Sequence, residues 1–376
     1  MRSPGEQLPA RAVCLGAALQ AIAVFPGKVL QASVLSEILL LVHNSTRMDI
    51  NRSLLNSKDG YCLRLANGQG WHIIATEGVR SWVEKLTSIM ELKCCVENGY
   101  PRIIFHKMDS GKEGYGKLIR SMEPRIPEGL PRSGWKAHDL MSHQLWSLNN
   151  GPGDGWRVQN LRSLQLWSHC DVPDVFFEVR AERSHSLDII RMWQALFPIY
   201  QRAQESGGLP LHAALVKRNG TAILLAAPGG TGKSTCCRRF PSQWQPLCDD
   251  ETLIVRDNQK RYLAHPFPTW SDYLRRRSER TWNVQQHLPL SAIFFIEQAE
   301  TDEVVPIGQG EAAAFMNQSA MQVYRRNWRN LDCEELRPLK TKLFENACVL
   351  ARVIPAFKLR VSQNGRFWEE MERVMV

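Results

Sequence analysis

"APGGTGKSTCCRRF", Ala227 to Phe240, is the stretch on which the reading of this chain turns. It follows the apolar run Thr221 to Ala226 and is stopped by Pro241. An apolar run, a glycine-rich turn and a proline-terminated segment predict strand, loop and short helix. The turn fits the phosphate-loop pattern, except that Ala227 stands where a glycine usually opens it. That position asks mainly for a small residue, so alanine is a mild departure. Gly229, Gly230 and Gly232, with Thr231 among them, permit torsions at φ > 0 and let amide N–H groups converge on phosphate oxygens. The helix that follows adds its positive end. Lys233 is placed to reach β- and γ-phosphates, Ser234 to offer its hydroxyl to Mg²⁺, and Thr235 to lie beside the phosphates.

Downstream, "PLCDDE" sets Asp249 next to Asp250 at the end of a short strand, Pro246 to Cys248. Beside a phosphate loop, one carboxylate can deprotonate an acceptor hydroxyl while its neighbour holds Mg²⁺. Asp is also common in strand-end turns, where it caps backbone N–H groups. His212 opens the strand before the loop's own strand. If the two pair as a hairpin, its ring falls near the loop or at its far end, depending on register. Glu297 and His265 each end a predicted strand and are weaker candidates for supporting roles.

Composition sets the frame. The chain has 376 residues, 44% hydrophobic and 23% charged, which suits a globular protein with a sizeable core and predicts two domains. A net charge of +9 favours acidic partners, but the basic residues are scattered, Arg275 to Arg277 with nearby Arg280 being the densest run. No aromatic-rich RNA signature or zinc-finger spacing is present, so nucleic acid is not an expected partner. Ten cysteines include the adjacent pairs Cys94/Cys95 and Cys236/Cys237 but no C-x-x-C. They read mostly as reduced thiols of a cytoplasmic protein, without a disulfide framework. The apolar stretch Ala12 to Phe25 imitates a short signal peptide, with a poor cleavage site after Ala32, and is too short to span a bilayer. No membrane association is expected. Residues 1–47 read as an N-terminal extension, with Met48 a candidate start.

Residues 48–205 read as an α+β domain. Asn67-Gly68 marks a hairpin inside Tyr61 to Ile74. A helix is predicted over Gly78 to Leu92, and strands over Pro101 to His106, Leu164 to Trp167 and Val175 to Val179. An irregular excursion is expected at Asp109 to Gly155, and one amphipathic helix over Leu187 to Ala203. Residues 206–376 read as the nucleotide-binding domain. Strands are expected at His212 to Val216, Thr221 to Ala226, Thr252 to Val255, Arg261 to Ala264, Leu290 to Ile296 and Pro355 to Val361. Helices are expected at Gly310 to Tyr324, Cys333 to Val353 and in "RFWEEMERVM".

The run "LHAALVKRNGTAILLAAPGGTGKST…PLCDD" resembles the core of the HPr kinase/phosphorylase family. A histidine-led strand, a turn, a second strand, a phosphate loop and an Asp-Asp pair come in that order. It is more similar still to the HPr-kinase-related proteins of peptide-modification gene clusters. The wider run "LCDDETLIV…HPFPTWSDYL…TWNVQQHLPLSAIFFIEQ" resembles the SynChlorMet cassette protein ScmC type. The resemblance implies an α/β fold with a phosphoenolpyruvate-carboxykinase-like core. It implies His212 as an active-site residue, Lys233 on the phosphates, Ser234 on Mg²⁺ and Asp249 as proton acceptor, with Asp250 matching the second aspartate. The glycine-rich signature that supports the reverse, dephosphorylating reaction in that family is not found after the aspartates. Phosphorylase activity, and HPr itself as substrate, are therefore not expected.

The leading expectation is an ATP- and Mg²⁺-dependent kinase acting on a Ser or Thr hydroxyl of a small protein or ribosomally made precursor peptide. The alternatives are a catalytically inactive nucleotide-binding accessory protein that recruits such a peptide, and a simple NTPase switch. The intact set Lys233, Ser234 and Asp249 favours catalysis. A homo-oligomer is compatible with any of the three.

Overall fold

The computed structural model describes residues 59–96, 99–108, 156–161, 164–169, 172–180, 185–325, 327–328, 331 and 333–375. All belong to one compact unit, Lys58–Val376. The apolar stretch near the N-terminus and the excursion at Asp109 to Gly155 lie outside the described residues. The fold is mixed α/β.

The first sheet holds β1 (Asp59–Arg64), β2 (Gly70–Ala75), β3 (Lys93–Val96), β4 (Arg102–Met108), β5 (Trp156–Leu161), β6 (Leu164–His169) and β7 (Val172–Arg180). Its order is β3-β1-β2-β4-β7-β6-β5 among the described residues. The Asn67-Gly68 hairpin forms as expected, with Tyr61 opposite Ile73 and Gly68 at φ +83°. Helix α1 (Arg80–Ile89) buries Val83, Leu86 and Ile89. The short strands β3 and β5 were not foreseen. β3 reads "KCCV" and is largely exposed, so it carries no alternation to find. It also brings Cys95 against Cys62, and the two form a disulfide with Cα atoms 5.9 Å apart. Sequence spacing does not show this pair, because the register of β1 on β3 creates it.

The single helix expected over Leu187 to Ala203 is two helices, α2 (His185–Gln194) and α3 (Phe197–Glu205). Pro198 is the reason. It has no N–H to donate to the Gln194 carbonyl and its ring crowds that turn, whereas the first turn of a new helix accepts it. Within α3, the Tyr200 hydroxyl donates to buried Glu251 over 2.6 Å.

The second sheet runs β11-β9-β10-β14-β13-β12-β8 among the described residues, with β16 on β14 and β15 on β16. Its strands are β8 (Leu209–Leu211), β9 (Ala213–Arg218), β10 (Thr221–Ala226), β11 (Gln245–Cys248), β12 (Glu251–Arg256), β13 (Tyr262–Phe267), β14 (Leu288–Gln298), β15 (Glu303–Pro306) and β16 (Ala356–Val361). β10 and β14 run parallel, as do β14 and β16. The sheet is covered on both faces. Ala213, Leu215 and Leu224 point into one core, and Ala214, Val216, Ile223 and Leu225 into the other. Double burial is why these strands read as continuous apolar runs rather than alternating ones. Helix α4 (Lys233–Arg239) contributes Cys236 to the second core, and α8 (Phe367–Val374) contributes Phe367 and Met371. Helices α6 (Gln309–Tyr324) and α7 (Cys333–Ala351) bury Met316 and Leu343 in the first.

His212 does not open a strand as expected. It sits in the bend between β8 and β9. The chain changes partner there: β8 pairs with β12, whereas β9 pairs with β10 and β11. β15 was also unforeseen. Four residues long and half exposed, it pairs with β16 alone among the described strands.

Candidate functional site

β10 ends at Ala226 and α4 begins at Lys233, so the glycine turn joins a parallel strand to a helix. Gly230 and Gly232 take φ of +85° and +119°, a region that excludes most side chains. A Cβ added to Gly229, Gly230 or Gly232 would meet no atom within 4 Å. Torsion is thus what requires glycine at positions 230 and 232, while the space above all three positions, Gly229 included, is free of protein side chains. The residues fit a bound polyphosphate in this respect: the cradle is bare and lined by backbone.

Lys233 is buried. Its Nζ donates to the Ala227 carbonyl over 2.7 Å and lies 2.9 Å from His212 Nε2. His212 Nδ1 lies 3.2 Å from Asp250 Oδ1. When Lys233 is protonated it donates to Nε2, which leaves the imidazole proton on Nδ1 for Asp250. Lysine, histidine and aspartate therefore form one hydrogen-bonded chain. The β9–β10 hairpin sets the register, with Ala226 opposite Ala213, so the ring falls at the loop. Helix α6 fixes the bend: His212 N–H donates to the Ser319 carbonyl, and the Ser319 hydroxyl to the His212 carbonyl, each over 3.3 Å.

The aspartates occupy the turn between β11 and β12. Asp250 is buried and also accepts the Ser271 N–H over 3.3 Å. Burial pushes its pKa up, but the hydrogen bond and charge of His212, the Ser271 amide and Lys233 outweigh it, and the net shift is downward. Asp249 is more exposed and accepts the Thr269 hydroxyl at Oδ1 over 2.7 Å. Burial lowers the Lys233 pKa to about 8, against the pull of Asp250 and Asp249.

The expected residues do not all meet. Lys233, His212 and Asp250 are in contact, and Asp249 acts on Lys233 through its charge. Ser234 is half-buried and Thr235 exposed on the first turn of α4. Among the described residues, no group of three or more His, Cys, Asp or Glu side chains could hold a metal ion. Mg²⁺ would therefore take few ligands from the chain, Ser234 and a carboxylate, and the rest from phosphate oxygens and water. His265 lies elsewhere. Its Nδ1 is 2.8 Å from the Val284 carbonyl, its Nε2 accepts the Ala66 N–H over 3.1 Å, and burial lowers its pKa to about 4. It ties the first sheet to β13. Glu297 lies 3.9 Å from the Arg360 guanidinium.

The sequence reading missed Thr269, Ser271 and Ser319, which orient the carboxylates and the histidine. The signal for the first two was the run "HPFPTWSDYL", which carried resemblance but no assigned role. Also missed was a pocket of about 310 Å³ against the loop, lined by Ala227, Pro228, Thr231, Phe295, Phe315 and Gln318 among others. Its size admits a side chain or a small heterocycle.

No described helix is long and apolar enough to cross a membrane. No curated protein matches the chain. The sequence model of the SynChlorMet cassette protein ScmC matches residues 175–376, more than half of the chain and all of the candidate site, and the chain belongs to that family.

Proposed function

We propose that this protein is an ATP- and Mg²⁺-dependent kinase that phosphorylates a Ser or Thr hydroxyl of a precursor peptide or small protein in a modification cassette. The single observation that carries the reading is the chain Lys233–His212–Asp250 at the mouth of a bare glycine turn, with Asp249 beside it. The second sheet then serves as a nucleotide-binding core of the HPr kinase and phosphoenolpyruvate-carboxykinase type. ATP would supply the transferable phosphoryl group, and Mg²⁺ the positive charge on its β- and γ-oxygens.

The chain's own residues divide the remaining work. Backbone N–H groups of the glycine turn and the positive end of α4 bind the phosphates. Lys233, neutralised in part by Asp250 through His212, adds a fixed positive charge in a site sheltered from water. Asp249 takes the proton of the acceptor hydroxyl. Thr269 engages its Oδ1, leaving Oδ2 for that proton.

Incubation of the full chain with ATP, Mg²⁺ and candidate peptides should give products heavier by one phosphate in mass spectrometry. Nucleotide binding without any transfer, across peptides from the same cassette, would move the weight to the accessory-protein reading.

The Lys233 pKa gives a pH test. Its folded value of about 8 lies below the ordinary 10.5, so the ligand-free site loses its lysine charge as pH rises through about 8. A polyphosphate favours the protonated form. Affinity for an ATP analogue should hold near pH 7 and fall by up to about tenfold per pH unit above about 8. Calorimetric titrations at pH 7, 8 and 9 check this. A flat affinity would mean that Lys233 does not meet the phosphates.

A further inference from the structure

A cleft of about 700 Å³ lies apart from the glycine turn. Lys85, Ser88, His185, Tyr273, Arg276 and Arg277 line it, together with Ile89 and Ser278. Three elements build it: α1, the start of α2, and the turn after α5 (Trp270–Leu274). Lys85, Arg276 and Arg277 are exposed; Glu279 is the carboxylate among the lining residues, and neighbouring Asp272 also acts on Arg277 through its charge.

The turn that carries the two arginines is held in place. Arg276 adopts φ +52°, a left-handed conformation that costs a residue with a side chain about 1 kcal/mol or more. Arg276 N–H donates to Tyr273 O and Arg277 N–H to Asp272 O, and the Tyr273 hydroxyl donates to Arg280 O over 2.6 Å. Arg280 in turn donates to the Pro246 and Leu247 carbonyls of β11. Thr281 donates to Glu91, just past α1. The basic groups are thus presented by a fixed wall.

That wall is continuous with the candidate site. Thr269 and Ser271, at the start of α5, bond Asp249 and Asp250. Tyr273, Arg276 and Arg277, at its end, face the cleft. The helix is only five residues long, about 7 Å along its axis. A chain lying in the cleft is therefore within a few extended residues of the carboxylates.

We propose that this cleft binds an acidic segment of the peptide substrate and so delivers a neighbouring hydroxyl to Asp249. The positive groups come from two elements, Lys85 on α1 and the adjacent Arg276 and Arg277 on the turn after α5, and line an open cleft. That layout suits several carboxylates on an extended chain better than one phosphate, which needs converging donors. Ile89 and Tyr273, both largely buried, form the floor of the cleft. The inference rests on the phosphotransfer reading for the role of the bound chain, but not for binding itself.

The test is fluorescence anisotropy on the full chain without nucleotide, using a labelled peptide of about a dozen residues, half of them glutamate, whose binding should weaken with salt. Lys85→Glu and Arg277→Glu should each weaken binding by about fivefold or more, with Arg277→Gln intermediate. Both residues are exposed, so unchanged circular dichroism is expected. The ATP-analogue affinity should be unchanged in all three variants. Unchanged peptide affinity in both charge reversals would overturn the proposal. So would equal binding of a peptide with glutamine for glutamate, or displacement by low-millimolar inorganic phosphate. Loss of ATP-analogue binding in the unmodified chain would sink the kinase reading and leave peptide binding standing.

Discussion

Lys233→Met should cut affinity for an ATP analogue by about 10- to 100-fold while leaving the ligand-free protein as stable as before, or more so. The first half follows from charge. A charge-assisted hydrogen bond to a phosphate is worth about 1.5–3 kcal/mol, and each 1.4 kcal/mol is tenfold in affinity. The second half follows from burial. Lys233 is a buried side chain whose pKa is lowered to about 8 from 10.5. At pH 7 the folded state therefore holds a charge that it disfavours relative to the unfolded chain, by about 3 kcal/mol as an order of magnitude. A depressed lysine pKa costs stability fully below about pH 8, and that cost fades as pH rises towards 10.5. Methionine has similar length and no charge to desolvate, although the Ala227 carbonyl and His212 lose a partner. Buried thiols such as Cys236 and Cys248, whose pKa values burial raises to about 11, give the opposite pH trend. The difference between the unmodified chain and Lys233→Met isolates the lysine. Thermal melts at pH 7 and 9.5, beside calorimetric titrations, supply both readouts. A variant that melts earlier and binds as before would make Lys233 a structural residue and end the phosphate-loop assignment.

Parts of this site are written locally in the sequence and others depend on distant strands. The glycine turn was legible because its needs are local. Torsions at Gly230 and Gly232, a strand before and a helix after are all written within a few residues. The second sheet was legible because burial on both faces leaves long apolar runs in β9, β10 and β14. The position of His212 was not, since it depends on a change of strand partner that only β12 and β11, far along the chain, define. Thr269, Ser271 and Ser319 act through hydrogen bonds of which some are to or from the backbone, and such bonds leave no pattern in side-chain chemistry. The break between α2 and α3 was written at Pro198, but the apolar spacing on either side masked it. The disulfide between Cys62 and Cys95 came from register alone.

The two aspartates should separate cleanly. Asp249→Asn keeps size and the Thr269 contact but cannot take a proton. If Asp249 is the general base, the variant binds the Mg²⁺–ATP analogue with near-unchanged affinity and transfers phosphate more slowly by about 10²–10⁴-fold. Asp250→Asn acts elsewhere. Asp250 holds the His212 imidazole and the Ser271 N–H, and its charge supports protonated Lys233. Neutralising it should weaken nucleotide binding, because Lys233 loses part of its compensation and its pKa drops further. The pH at which affinity begins to fall should then move below that of the unmodified chain. A carboxylate with a depressed pKa also contributes stability above its unfolded value of 3.8, lost as pH falls through the folded value. Asp250→Asn should therefore flatten the acid side of the stability profile. If Asp250 instead serves mainly as a Mg²⁺ ligand, raised Mg²⁺ would restore much of its lost affinity without moving the pH midpoint. Transfer at full rate by Asp249→Asn would remove the proposed base and, with it, the division of labour between the two carboxylates.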